Sequence, residues 1–160
     1  MKTVFATMVA AVSVLFLTGC GGGGDDASPA NVAGTWSGPF TLTYKGQTAS
    51  GTTIFVLTQD GKNVSGTMGG TKIPTSGVVD GNNVALVSTS QFTWTWELTA
   101  NGDSMSGTYV VTGGGLDGQA EGTVSLTRTS AAGVHIAQGT DNGSDMESVM
   151  TGLLKKTQQK

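Results

Sequence analysis

The segment Phe92–Thr99, FTWTWELT, carries the clearest structural signal in the chain, because large apolar and polar residues alternate along it. Strict alternation places the apolar side chains on one face of a β-strand and the polar side chains on the other. Asn101-Gly102 follows shortly after, and this dipeptide favours the tight turn of a β-hairpin. A second alternating segment, Met105–Thr112, comes next. The sequence therefore predicts an antiparallel hairpin with one apolar face and one hydroxyl-rich face.

The same hairpin pattern occurs earlier in the chain. The segment Leu57–Thr67, LTQDGKNVSGT, aligns with Leu98–Thr108, LTANGDSMSGT, and each has an Asp-Gly or Asn-Gly turn at its centre. Asp80-Gly81 is a further turn signal of the same kind. Two copies are too few for a repeat array. The pattern instead indicates duplicated hairpins within a single meander.

Alternation and turn signals together predict about eight antiparallel strands between Val32 and Thr129. Their expected bounds are Thr35–Tyr44, Thr53–Gln59, Val64–Met68, Gly77–Val79, Val84–Ser88, Gln91–Ala100, Met105–Thr112 and Ala120–Thr129. A strand with one apolar face fits a sheet closed on itself or two stacked sheets. Closure is favoured because successive strands look like neighbours and closing a sheet removes its edges. We predict an all-β fold: a single up-and-down antiparallel barrel of about eight strands in residues 32–129, plus a short C-terminal amphipathic helix.

Two features at the ends of this segment carry a family resemblance. Gly34-Thr35-Trp36 opens the first strand and Arg128 lies at the end of the last. Their placement resembles the lipocalin and avidin group of barrels, the calycins. The resemblance implies that Trp36 plugs the closed end of the barrel with Arg128 over its indole ring, a contact that contributes about 0.5–2 kcal/mol. We find neither a second lipocalin motif nor the biotin-contacting pattern of avidins, so the resemblance implies the barrel and not its ligand.

The N-terminus has the pattern of a secretory signal, with Lys2 before the apolar segment Val4–Leu17. The sequence Leu17-Thr18-Gly19-Cys20 resembles the bacterial lipobox, whose cysteine receives acyl chains such as palmitate and becomes the new N-terminus. The resemblance implies a lipoprotein signal peptide over residues 1–19 and lipidation of Cys20. Residues 20–31 are then a lipidated flexible tether, because they are Gly-rich and acidic. Gly21, rather than Asp, after the cysteine implies the outer membrane rather than the inner membrane of the bacterial cell envelope.

Composition and motif spacing argue against several classes of function. The chain has 8 Lys and Arg against 11 Asp and Glu, and loss of Lys2 with the signal peptide makes it more acidic. With no basic stripe, we expect no nucleic-acid partner. The single histidine, His135, lies in the predicted 130–143 linker, and Asp141–Asp145 lacks the further ligands of a calcium loop. No carboxylates are spaced for acid–base chemistry, and Gly113-Gly114-Gly115 is not a phosphate loop. We therefore expect no catalytic residues, no metal and no cofactor.

The aromatic residues of the predicted strands are candidates for a ligand site. They are Trp36, Phe92, Trp94, Trp96 and Tyr109. An eight-stranded barrel either encloses one small molecule or is filled by its own side chains. Composition does not choose between these alternatives, because both need apolar inward-facing residues.

The segment 144–160 is predicted to be an amphipathic helix and tail. Ser144 and Glu147 have the spacing of a capping box. An apolar stripe follows at helical spacing, formed by Met146, Val149, Met150, Leu153 and Leu154. A helix of about three turns is marginal alone, so this stripe must be buried. Three alternatives stay open: the barrel itself, a partner, or the membrane surface.

From the sequence we expect a non-catalytic, membrane-anchored lipoprotein. Its partners are the membrane, through the lipid anchor, and either an apolar small molecule held in the barrel or a protein. The alternative is a structural or assembly subunit, or a protein inhibitor, whose barrel core is filled. The volume of the lumen discriminates between these two classes.

Overall fold

The computed structural model describes residues 28–131 and 146–159. Within these ranges it contains eight β-strands and one α-helix. The elements are β1 (Gly34–Tyr44), β2 (Gln47–Asp60), β3 (Asn63–Met68), β4 (Ile73–Asp80), β5 (Asn83–Thr89), β6 (Phe92–Asn101), β7 (Ser104–Gly113), β8 (Ala120–Ala131) and α1 (Met146–Gln158). No helix in the described ranges is long and apolar enough to cross a membrane.

The strands form one closed sheet in sequence order, β1 to β8. Every neighbouring pair is antiparallel, and β8 pairs back with β1 to complete the barrel. The predicted all-β, up-and-down barrel with a short C-terminal helix is confirmed.

β2 and β4 are much longer than the sequence indicated, and β8 continues past its expected end. β2 begins at Gln47 rather than Thr53, directly after a turn in which Lys45 has φ 47° and Gly46 has φ 76°. Lysine rarely takes this left-handed conformation, so the turn has no obvious sequence signal. β4 begins at Ile73 and includes Pro74, a residue that usually argues against a strand. β8 continues to Ala131, into the segment that the sequence assigns to the linker.

Inward-facing side chains fill the barrel. The residues assigned inward from alternation on the first and sixth strands are all buried, at 0–3% exposure: Trp36, Phe40, Leu42, Tyr44, Phe92, Trp94, Trp96 and Leu98. Thr and Ser dominate the opposite, outward face. Strict alternation of burial in β5 and β6 follows from the period of two along a strand.

The two ends of the barrel differ. We call the end with the turns at 61–62, 81–82 and 102–103 the floor, and the end with the turns at 45–46, 69–72, 90–91 and 114–119 the mouth. α1 lies across the mouth. On one side α1 packs against β2. On the other side it contacts the β5–β6 turn, where Glu147 accepts a 2.7 Å hydrogen bond from the Ser90 hydroxyl and Gln91 Nε2 donates to Thr151 Oγ1 at 3.3 Å. Met150 of α1 is fully buried in the same core as the lumen residues.

Candidate functional site

The lumen is occupied by a cluster of aromatic rings. Trp94 and Trp96 stack on each other at 6.2 Å between ring centroids, with an interplanar angle of 13°. The Tyr109 ring is 4.5 Å from Trp96, and the edge of Phe55 on β2 meets Trp96 at 5.0 Å. Phe92 meets Trp94 edge-on at 6.2 Å. These rings come from β2, β6 and β7, so the contacts cross the centre of the barrel and fill it.

Polar groups are also present inside the lumen. Ser88 and Thr75, both buried, share a 2.7 Å hydrogen bond. Trp96 Nε1 donates to Ser88 Oγ at 3.3 Å, so the indole N–H of Trp96 is satisfied. Neither Ser88 nor Thr75 was predicted as a lumen residue, although their spacing from Leu86 and Ile73 places them on the inward face.

Two buried polar atoms have no hydrogen-bond partner among the described residues: Trp94 Nε1 and Thr53 Oγ1. Both lie one inward position towards the mouth from the contacting pair Trp96 and Phe55, since β6 and β2 run in the same direction. Trp94 and Thr53 therefore both lie on the mouth side of Trp96 and Phe55. An unsatisfied buried polar group costs about 1–3 kcal/mol, so each of these two atoms lowers the stability of the packed lumen.

Tyr109 connects the lumen to the wall. Its hydroxyl donates to the carbonyl oxygen of Thr41 at 2.7 Å. Burial raises the pKa of Tyr109 above its ordinary value. The ring covers Gly122, its partner on β8, and a Cβ at Gly122 would lie 2.0 Å from Thr41 O and 2.5 Å from the tyrosine hydroxyl. This position needs glycine because the ring and the neighbouring strand take the space of a side chain.

The structure brings Trp36 and Arg128 together at the floor. The guanidinium carbon of Arg128 is 4.3 Å from the centroid of the Trp36 ring, and Trp36 is fully buried. Arg128 Nε donates to Asp103 at 2.9 Å, and its terminal nitrogens donate to the carbonyl oxygens of Ala33 and Asn31. Gly34 has φ 134°, and a Cβ there would lie 2.4 Å from Ser130 O. Glycine at position 34 thus has a steric basis.

The residues before β1 close the floor. Val32 is fully buried, and its carbonyl oxygen accepts a 2.8 Å hydrogen bond from Trp36 Nε1. Gln59 of β2 clamps this segment, because its Oε1 accepts from Val32 N at 2.7 Å and its Nε2 donates to Ala30 O at 3.0 Å. Ala30 N also donates to Gly81 O at 2.7 Å. Sequence reasoning missed this clamp and assigned Ala30 to the flexible tether.

The mouth is covered by the apolar stripe of α1. Met146, Met150 and Leu153 are buried at 0–3% exposure, whereas Val149 and Leu154 are partly buried against the same core. Of the three alternatives for this stripe, the contacts in the structure are with its own barrel. Glu147 of the predicted capping box bonds to Ser90, and Ser144 lies outside the described residues.

Two concavities of the described residues are on the outer surface. One of about 460 Å³ lies across β7, β8 and β1, and one of about 390 Å³ lies between Thr71 and the outer side of α1. Neither is lined by Trp36, Trp94 or Trp96.

The remaining candidates named from the sequence lie outside the described residues or in a loop at the mouth. Cys20, His135 and Asp141–Asp145 lie outside the described residues. Gly113 ends β7, Gly114 and Gly115 begin the β7–β8 loop at the mouth, and all three residues have positive φ. Residues 28–131 and 146–159 contain no group of three or more His, Cys, Asp or Glu that could hold a metal ion.

At the rim of the mouth, Lys45 and Asp117 form a 2.8 Å ion pair that raises the pKa of the lysine and lowers that of the carboxyl group. Such exposed pairs add little stability.

Fold and site together define a closed eight-stranded antiparallel barrel with a filled lumen, a clamped floor and a helix over the mouth. Comparisons of the chain with protein-family models, with curated proteins and with solved structures found no match.

Proposed function

We propose that this protein is a lipid-anchored, non-catalytic interaction module of a bacterial cell envelope whose filled barrel is a scaffold for a protein partner. The packing of the lumen carries this proposal. Trp94 and Trp96 are fully buried against each other, and both ends of the barrel are covered. A small-molecule site needs roughly 300–1,000 Å³ of enclosed space, and side chains occupy that region here.

The position of the chain entry supports an anchored arrangement. Ala30 is bonded to the β4–β5 turn at the floor, so the chain that leads from Cys20 enters the barrel at the floor. Lipidation of Cys20, proposed from the resemblance of Leu17–Cys20 to the lipobox, would place the floor towards the membrane. The outer membrane is the proposed location, because Gly21 follows the cysteine. The mouth and the outer side of α1 would then face away from the membrane, towards a partner.

A calycin-like relationship is part of the same proposal. It is supported by the placement of Gly34 and Trp36 on β1 and by Arg128 of β8 over the Trp36 ring. The proposed relationship extends to barrel architecture and not to a ligand.

Binding of indole to the full chain in detergent micelles tests whether the barrel is filled. We expect no saturable indole binding by calorimetry in the native protein. The Trp94→Ala variant is the positive control, since an apolar cavity created by truncation binds small aromatic molecules. Stoichiometric indole binding by the unmodified chain would contradict a filled lumen.

A second candidate function is binding of an apolar small molecule with a hydrogen-bond acceptor beneath α1. The unpartnered Trp94 Nε1 and Thr53 Oγ1 favour it, because each is a buried polar group on the mouth side of the lumen that a hydrogen-bonding ligand would satisfy. The uncharged dye Nile red tests this function. Saturable binding that is lost in Trp94→Phe would support it, and no binding would exclude it for ligands of this kind.

A further inference from the structure

The helix α1 is attached to the molecule differently from the strands. Every strand has two neighbours in the closed sheet and is hydrogen-bonded to both of them. Within the described residues α1 has no main-chain hydrogen bond to the barrel, and two side-chain bonds join it to the β5–β6 turn. Both bonds are exposed to water, so each contributes little to stability. α1 is therefore held mainly by the burial of its apolar stripe.

The buried face of α1 is narrow and adaptable. Its buried residues are Met146, Met150 and Leu153, which form a single line along the helix. Methionine is flexible and fits an irregular surface, but it loses side-chain freedom when it is buried. The lumen below is instead packed with stacked rings, Trp94 and Trp96. The mouth is thus closed by fewer and softer contacts than those that fill the centre of the barrel.

The sequence of α1 gives this helix little stability of its own. It has 13 residues, and a helix of this length is marginal in water without tertiary packing. Gly152 lies in its interior, and Val149 and Thr151 are β-branched, so all three favour a helix less than alanine does. We therefore expect α1 to unfold when it leaves the mouth, and the gain in chain entropy favours the open state.

The closed barrel also leaves two polar groups unsatisfied near this end. Trp94 Nε1 and Thr53 Oγ1 are buried without a hydrogen-bond partner among the described residues. Both residues lie on the mouth side of the contact between Trp96 and Phe55. Water that entered at the mouth would supply the missing hydrogen bonds, so hydration of these groups favours opening.

We propose that α1 is a lid that opens and closes over the mouth while the barrel stays folded. Cooperative units with few buried contacts open at a lower free energy than the core of a protein. Opening uncovers the mouth end of the lumen, where Met68, Ile73 and Phe92 lie. A molecule or protein segment that binds only the open state shifts the equilibrium towards it, so α1 regulates access to the lumen. The lid opens whichever of the two functions proposed above is correct.

Native-state hydrogen exchange of the full chain in detergent micelles, followed by NMR, tests this lid. The main-chain amides of Met150–Leu154 should be protected at least about tenfold less than those at the centre of β6, around Trp96. Their protection should also depend less on urea, because opening of a lid exposes less surface than unfolding of the barrel. Equal protection and equal urea dependence of α1 and β6 would overturn the proposal.

Two variants separate the lid from the barrel. Trp36→Phe, at the floor, destabilises the barrel whether the lid is closed or open. It should lower the protection of β6 by about fivefold or more and leave that of α1 within about twofold. Gly152→Ala, where a Cβ meets open space, favours the folded helix and should raise the protection of α1 by about two- to fivefold.

Two results with these variants would also contradict the lid. One is a loss of α1 protection in Trp36→Phe equal to the loss in β6, because α1 would then open only when the barrel unfolds. The other is unchanged α1 protection in Gly152→Ala, because the helix would then not unfold on opening. Retained dispersion of the amide spectrum verifies that each variant is folded, and the comparison of α1 with β6 in the wild type needs neither variant.

Discussion

Truncation of Trp36 to alanine tests the floor of the barrel. The ring is fully buried, carries the guanidinium of Arg128 at 4.3 Å, and donates a 2.8 Å hydrogen bond to Val32 O. Removing a buried tryptophan typically costs about 3–5 kcal/mol. We expect the upper part of this range, because Val32 O loses its donor and Arg128 loses the surface on which it packs. Urea unfolding followed by circular dichroism gives the free energy of unfolding.

Two further variants divide this loss into parts. Trp36→Phe keeps one six-membered ring and removes the N–H, so its cost combines the unpaired Val32 O, about 1–3 kcal/mol for a buried acceptor, with a smaller loss of packing than in Trp36→Ala. A double-mutant cycle of Trp36→Ala with Arg128→Met isolates the cation–π contact, which we expect at about 0.5–2 kcal/mol. A total loss below about 1 kcal/mol for Trp36→Ala would refute the floor as a packed closure.

Four other predictions follow from the structure and the sequence. Cys20→Ser should release the protein from the membrane fraction or leave it uncleaved, and a variant that still fractionates with membranes at high salt would contradict the anchor. Deletion of residues 144–160 uncovers the mouth and should lower the melting temperature of the barrel by at least about 4 °C, whereas an unchanged value would mean that α1 does not stabilise it. Gly122→Ala should lower the free energy of unfolding by about 1–3 kcal/mol, because the methyl group overlaps Thr41 O and the Tyr109 ring. Gly152→Ala in α1, where a Cβ meets open space, should be neutral or stabilising by about 0.5–1 kcal/mol. Burial raises the pKa of Tyr109, so the unfolded chain loses the phenol proton at a lower pH than the folded chain. The free energy of unfolding should therefore fall as pH rises above about 10, by at most about 1.4 kcal/mol per pH unit. The absence of this decrease in the wild type relative to Tyr109→Phe would contradict the prediction.

The barrel could be predicted from the sequence because its signal is local. In β6 every second residue is large and apolar, and the turn at Asn101-Gly102 is short, so the strand, its inward face and its partner follow from a few neighbouring residues. The turn at Lys45-Gly46 could not be predicted in the same way, because nothing in a lysine marks a positive φ. The first residues of β4 were not predicted either, because Pro74 argues against a strand.

The state of the lumen depends on non-local packing, and alternation does not report it. Trp94 and Trp96 point inward in a filled barrel and in an open one, and only the contacts with Phe55 and Tyr109 from other strands distinguish the two. The same holds for α1, whose apolar stripe indicates that it is covered but not by what. Gln59 gave no signal for its role, because a clamp on Val32 and Ala30 requires residues far apart in sequence.

Native mass spectrometry of the protein extracted in detergent from its own host tests the central claim most directly, since it detects a bound polypeptide and a bound small molecule in one spectrum. A filled scaffold predicts the mass of the lipidated chain from Cys20 onward, alone or with a second polypeptide, and no small-molecule mass. A constant small-molecule mass retained at one copy per chain, and lost in Trp94→Phe, would contradict the filled barrel.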